Sequence, residues 1–206
     1  MTSRVAFVSP ATSASLRRAL FYDGDSIDDL GATRARAAAG SLPVPAHVVA
    51  SPSVRCRETA AALGLDGVAT PELDGLDVGR WRGRALEAVA AAEPDAVARW
   101  LTDPGSAPHG GESVQALCER VARWLEGAGA LEGRVLAVVE PEVVRAAITE
   151  ALDLPAAVFW RLDVAPLTVT ELSGRAGRWN LRLGRPLAVP DADGNAAAGV
   201  PDAGCR

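Results

Sequence analysis

The stretch that most constrains this chain is residues 5–13, Val-Ala-Phe-Val-Ser-Pro-Ala-Thr-Ser. Four consecutive apolar residues, Val5 to Val8, run straight into polar and turn-forming ones. A short apolar run without alternation is a strand covered on both faces, so it belongs inside a sheet flanked by helices. In open α/β sheets, ligands bind just beyond the carboxyl ends of the strands. Residues 9–13 therefore belong at the ligand rim, yet they contain no histidine, arginine or acid.

The same punctuation recurs along the chain. Residues 47–50 and 134–139 are two further short apolar strands, and each strand end carries a proline: Ser9-Pro10, Ser51-Pro52 and Glu140-Pro141. Proline fixes the backbone where each strand gives way to a loop or helix. Helices are predicted over 27–39, with Ser26 and Asp29 as a capping pair, and over 51–64 behind Ser51-Pro52. Further helices are predicted over 85–100 with a break at Pro94, from Glu112-Ser113 to about Glu126, and over 143–152. Residues 167–172 and 178–183 alternate and read as an edge hairpin punctuated by Gly174 and Gly177. The order predicts a three-layer α/β/α sandwich with a mostly parallel sheet and an edge hairpin. One domain is expected over 1–185, with a disordered Pro, Gly, Ala and Asp-rich tail over 186–206.

Composition excludes several functions. No window of about 18 apolar residues exists, so no membrane span is expected, and the N-terminus lacks the apolar core of a secretory signal. The net charge is −5 without a basic stripe, which argues against nucleic acid. All 21 basic residues are arginine, an actinobacterial-like composition that leaves no lysine for Schiff-base chemistry. Two histidines, His47 and His109, are too few for a histidine-rich metal site, and neither metal nor cofactor is expected. Three cysteines at irregular spacing, Cys56, Cys118 and Cys205, suit free thiols in a cytoplasmic protein.

Four motifs, in order, carry a resemblance. They are Ser51-Pro-Ser-Val-Arg55-Cys-Arg-Glu-Thr59-Ala60, Asp77-Val-Gly79-Arg-Trp81-Arg-Gly83, Gly110-Gly-Glu112-Ser113, and the strand and helix from Arg134 through Glu140 to Arg145. Together they resemble the histidine phosphatase superfamily, with its phosphoglycerate mutase-like fold, from about Val5 to Leu183. The resemblance implies an Arg-His-Gly motif at Ser9, Pro10 and Ala11, a general acid at Gly75 and a second histidine at Glu140. Of those phosphate-handling positions and the helix-start arginine, only Arg55 keeps its residue. Proline offers no nucleophile, so no phosphohistidine forms at position 10.

The candidate site residues each have two readings. Arg55, at a helix start, is an anion anchor or the partner of Glu140 in a salt bridge. Glu140 is a general base, a ligand carboxylate or the other half of that bridge. Asp77 is an acid–base group or a loop hydrogen-bonder. His109 is an acid–base group in the pocket or a surface-loop residue. Ser9 and Ser13 contact a polar ligand or cap backbone groups. Trp81 is the tryptophan expected to line the pocket, with Glu112 and Ser113 nearby, and Cys56 is expected to be buried and inert.

Three functions follow. The first is a degenerate member of the family, a pseudoenzyme that holds a small anionic or polar ligand, or a protein partner, in the ancestral pocket. The second is a repurposed active site, with Glu140, Arg55, Asp77 or His109 acting on a non-phosphorylated or carboxylate substrate in specialised metabolism. The third, ranked last, is residual phosphatase activity. The resemblance implies a monomer or homodimer.

Overall fold

The computed structural model describes residues 3–175 and 178–187. Its centre is a six-stranded sheet of order β3-β2-β4-β1-β5-β6. The strands are β1 (Ser3–Val8), β2 (His47–Ala50), β3 (Val68–Ala69), β4 (Arg134–Val138), β5 (Thr168–Arg175) and β6 (Arg178–Pro186). The first four run parallel, and β5 and β6 are antiparallel. The expected α/β sandwich with an edge hairpin is the observed fold.

Strand alternation divides the core between the two sheet faces. Val5 and Phe7 of β1 pack with helices α6 (Val114–Ala130) and α7 (Pro141–Ala151). Ala6 and Val8 face α2 (Asp29–Ala37) and α3 (Val54–Ala62). This two-sided burial is why β1 and β4 read as unbroken apolar runs. A third cluster joins Trp81 and Val78 to α4 (Leu86–Ala92) and α5 (Pro94–Thr102). A four-residue helix, α1 (Ala14–Arg17), follows β1.

The three proline-marked strand ends lie side by side. Val138 pairs with both Val8 and Ala50. The Ser51 N–H then donates to the Val138 carbonyl at 2.9 Å, and the Val139 N–H to the Val8 carbonyl at 2.9 Å. Pro10, Pro52 and Pro141 therefore leave the sheet on one rim.

Several boundaries differ from expectation. Asp28, not Ser26, caps α2, because its carboxylate accepts the Gly31 N–H at 2.7 Å, while Ser26 donates to Glu58. Ser53 caps α3, and the Ser51 hydroxyl instead accepts the Ser53 N–H at 3.2 Å. Gly174 lies inside β5, where a Cβ would come within 2.8 Å of the Trp179 ring, so it marks close packing rather than the turn. The two-residue, exposed β3 and the 3₁₀ turn over Ala156–Arg161 carried no pattern long enough to read. The expected tail begins inside the sheet, since Pro186 ends β6 and the Leu187 N–H donates to the Leu167 carbonyl at 2.9 Å; its remainder from 188 onward, like residues 176–177, lies outside the described residues. No helix among the described residues is long and apolar enough to cross a membrane.

Two glycine-bearing loops cross above the third cluster. The Glu112 N–H donates to the Asp77 carbonyl at 2.7 Å, and the Arg80 N–H to the His109 carbonyl at 3.1 Å. A Cβ on Gly111 would sit 2.1 Å from the Asp77 carbonyl oxygen, a collision between two backbones that side-chain rotation cannot relieve. Gly111→Ala is expected to destabilise the protein by about 3 kcal/mol, at the upper end of overpacking costs, as read from urea denaturation.

Candidate functional site

The rim holds one dominant interaction. Arg55, on the first turn of α3, faces Glu140 at the end of β4. Its Nε donates to Glu140 Oε1 at 2.9 Å and Oε2 at 2.8 Å, and Nη2 lies 2.5 Å from Oε2. Arg55 is 7% exposed and Glu140 1%, so the contact is made away from water. This is the geometry of an ionised, charge-assisted pair. Burial pulls the Arg55 pKa down, but the facing carboxylate, by charge and hydrogen bond, outweighs it and the net shift is up. Burial pushes Glu140 up while the guanidinium pulls against it, and burial prevails.

Local structure commits both side chains. Glu140 occupies the N-cap of α7, but its carboxylate does not cap the helix; it turns to Arg55. The guanidinium stacks on Tyr22, 4.3 Å from the ring centroid, and the Tyr22 hydroxyl accepts the Val54 N–H at 3.0 Å. Gly75 closes the other side. A Cβ there would stand 3.0 Å from Glu140 Cγ, so Glu140 lies in space that a side chain at 75 would need.

Beside the pair a cavity of about 670 Å³ remains open. Gly75, Tyr22, Phe21, Trp100 and Trp160 contribute to its walls. Its size is that of a small-molecule pocket. Direct pairing and an open cavity therefore coexist.

The other candidates sit elsewhere. Pro10 is buried and is not part of the cavity wall. Ser9 is buried and saturated: its hydroxyl donates to the Ala165 carbonyl at 2.6 Å and accepts the Thr168 N–H at 3.0 Å. Ser13 caps α1, and Ser113 caps α6. Glu112 pairs with Arg120 at 2.7 Å, and Arg120 also holds the carbonyls of Glu72 and Asp74. Asp77 is exposed and accepts the Gly79 N–H at 3.0 Å. Trp81, expected to line the pocket, is fully buried beneath it, and Trp100 and Trp160 line it instead. Cys56 is buried, and burial pushes its thiol well up, as expected of an inert thiol.

His109 is not a surface-loop residue. It is 1% exposed, with ring centroids 5.0 Å from Trp81 and 6.3 Å from Trp100. Its Nδ1 accepts the Gly111 N–H at 3.1 Å, which requires the proton of the neutral ring to be on Nε2. That Nε2 is buried without a partner among the described residues. Of Glu140, Asp77 and His109, only Glu140 reaches the cavity. Sequence reading missed Tyr22, Trp160, Glu142 and Arg145 as cavity residues. Their place in the first two turns of the helix that starts at the rim residue Glu140 was the signal for the last two.

The fold is thus an α/β sandwich with an arginine-bearing helix start and a pocket at the carboxyl ends of its parallel strands. The chain belongs to the histidine phosphatase superfamily (branch 1), whose family model matches residues 22–185. That match begins downstream of Ser9-Pro10-Ala11. The bifunctional protein Rv2228c of Mycobacterium tuberculosis is 33% identical over 156 residues, 70% of this chain. This chain spans less than half, 43%, of that relative. Among solved structures, a mycobacterial hydrolase superposes with a TM-score of 0.80 at 25% identity, covering 92% of this chain and 100% of its own. Mycobacterial glucosyl-3-phosphoglycerate phosphatase Rv2419c gives 0.77 at 25% identity, covering 88% and 97%. The alpha-ribazole phosphatase of Shigella flexneri gives 0.79 at 20% identity, covering 90% and 98%, a likeness of fold alone.

Two measurements test the local chemistry. Glu140→Ala strands a buried guanidinium and is expected to cost about 3–5 kcal/mol, whereas Arg55→Met with Glu140→Leu restores most of the loss in guanidinium chloride denaturation. For His109, burial depresses the folded-state pKa; Asp77 opposes and Arg80 adds to that effect. The unfolded chain therefore takes up this proton first, and stability is lost as pH falls below about 6.5. The fall in melting temperature between pH 7.5 and 5.5 is expected to be smaller in His109→Leu.

Proposed function

We propose that this chain is a non-hydrolysing member of its family, a pseudoenzyme that binds a small polar ligand in the cavity beside Arg55 and Glu140. The observation that carries this reading is the buried contact between those two residues. Glu140 lies on the guanidinium that would otherwise face a ligand's anion. Arg55 is neutralised from within, and releasing it would strand a buried carboxylate. A phosphate about 4 Å from Glu140 would meet a repulsion of roughly 4 kcal/mol per unit charge at an effective dielectric of 20.

The remaining chemistry agrees. Phosphoryl transfer depends on positioning and on positive charge around the transferring oxygens. By the family resemblance, Pro10 stands where the nucleophile falls and Gly75 where the general acid falls. Neither supplies a proton-transfer or nucleophilic group. The ester hydrolysis named for the phosphatase neighbours is therefore not carried to this chain. Nor does the geometry favour a repurposed acid–base site: Asp77 is on the surface and His109 lies beneath the pocket. The open cavity, with its aromatic walls, is what favours binding over a purely structural scaffold.

The purified chain is expected not to hydrolyse a generic aryl phosphate and not to shift its melting temperature with inorganic phosphate. In a thermal-shift screen of phosphates, carboxylates and amino-acid-like compounds, polar non-phosphorylated compounds are expected to give the hits. Aryl phosphate turnover that disappears in Arg55→Ala would overturn the reading.

A further inference from the structure

With Arg55 and Glu140 satisfied by each other, the cavity is still lined by charged side chains of both signs, Asp74, Arg82, Glu142, Arg145 and Asp163. Glu142 and Arg145 stand three residues apart on α7, so they lie on one helical face, and both line the cavity. Neither makes a salt bridge among the described residues. Arg145 is held in place nonetheless. Its Nε donates to the Leu162 carbonyl at 2.7 Å, and its guanidinium carbon lies 5.7 Å from the Trp160 ring centroid. That leaves both terminal nitrogens, with their donors, outside any hydrogen bond among the described residues. Glu142 sits in the first turn of its helix, and its side chain makes no hydrogen bond among the described residues. Leu76, Val164, Trp100 and Trp160 supply apolar wall beside these two charges.

We propose that the cavity takes a zwitterionic ligand of amino-acid type, carrying an ammonium, a carboxylate and an apolar or aromatic side chain. The inference rests on the reading of the cavity as a ligand-binding pocket and names what that pocket accepts. Arg145 receives the carboxylate through its terminal nitrogens, the fork geometry that suits a planar anion. Glu142 receives the ammonium. The apolar body lies against Trp100 and Trp160, where a flat ring gains most from contact. A simple anion gains from Arg145 and Arg82 but shares the cavity with the carboxylates of Asp74, Glu140, Glu142 and Asp163. A simple cation gains from Glu142, Asp74 and Asp163 but shares the cavity with Arg82 and Arg145. A zwitterion of matching span satisfies both, and its neutral total charge suits a cavity whose strongest cation is already paired.

Calorimetric titration of the full chain with three probes tests this: L-phenylalanine, phenethylamine, which lacks the carboxylate, and 3-phenylpropionate, which lacks the ammonium. L-phenylalanine is expected to bind about tenfold or more tighter than either truncated probe, the scale of one lost charge-assisted hydrogen bond. Glu142→Gln is expected to erase its advantage over 3-phenylpropionate, and Arg145→Met its advantage over phenethylamine. Equal affinity for all three probes, or an advantage unchanged in both variants, overturns the zwitterion and leaves the pocket in place. Absence of binding by all three also overturns it, and the wider thermal-shift screen then decides the pocket by itself. Binding of inorganic phosphate that is lost in Arg55→Ala would instead remove the pocket reading and this inference together.

Discussion

The rim of this protein depends on a buried guanidinium and a buried carboxylate meeting where two parallel strands end. Such a pair is costly to desolvate, and it holds only with close geometry and further contacts around it. Here the Tyr22 ring covers one face of Arg55, while the α3 and α7 starts bring the partners within reach. Each partner then constrains its neighbours. Glu140 gives up the capping of its own helix, which starts on Pro141 instead, a residue with no N–H to satisfy at that position. Gly75 leaves the carboxylate's methylenes room that a Cβ would crowd.

The consequence for function is a separation of charge from space. In a phosphate-handling pocket the cation faces the cavity and waits for its anion. In this chain the anion is built in, and the cation is spent on it. What remains is a cavity with aromatic walls, lined from α7 by Glu142 and Arg145, neither of which makes a salt bridge among the described residues.

Beneath the cavity, the crossing of the 77–79 and 109–111 loops explains two motifs that the family resemblance presents only as strings of letters. Gly79 and Gly111 are required where one backbone passes over another, and a side chain at either would strike a carbonyl. The crossing also drives His109 inward, onto Trp81 and Trp100, where its imidazole serves as a packed ring that accepts one backbone N–H. A histidine beside two glycines reads as a loop residue because burial of a loop is not periodic.

Much of the fold was legible in the chain itself. Two-sided burial writes unbroken apolar runs at Val5–Val8 and at the β4 strand, and prolines mark the ends of β1, β2 and β4. Helix starts were placed less well, because Ser26 and Ser51 look as able to cap as Asp28 and Ser53. Only the folded backbone shows which oxygen reaches an orphan N–H. The sequence by itself determined the sandwich, the rim and the identity of the residues at positions 9–11, 75 and 140. Tertiary structure decided how those residues are used: that Arg55 and Glu140, 85 positions apart, touch; that Trp160 rather than Trp81 walls the cavity; and that Glu142 and Arg145 line it without ion-pair partners among the described residues. The reason is physical. Burial and capping leave periodic or local marks, whereas the partner of a side chain depends on strand register and helix placement, which no local pattern records.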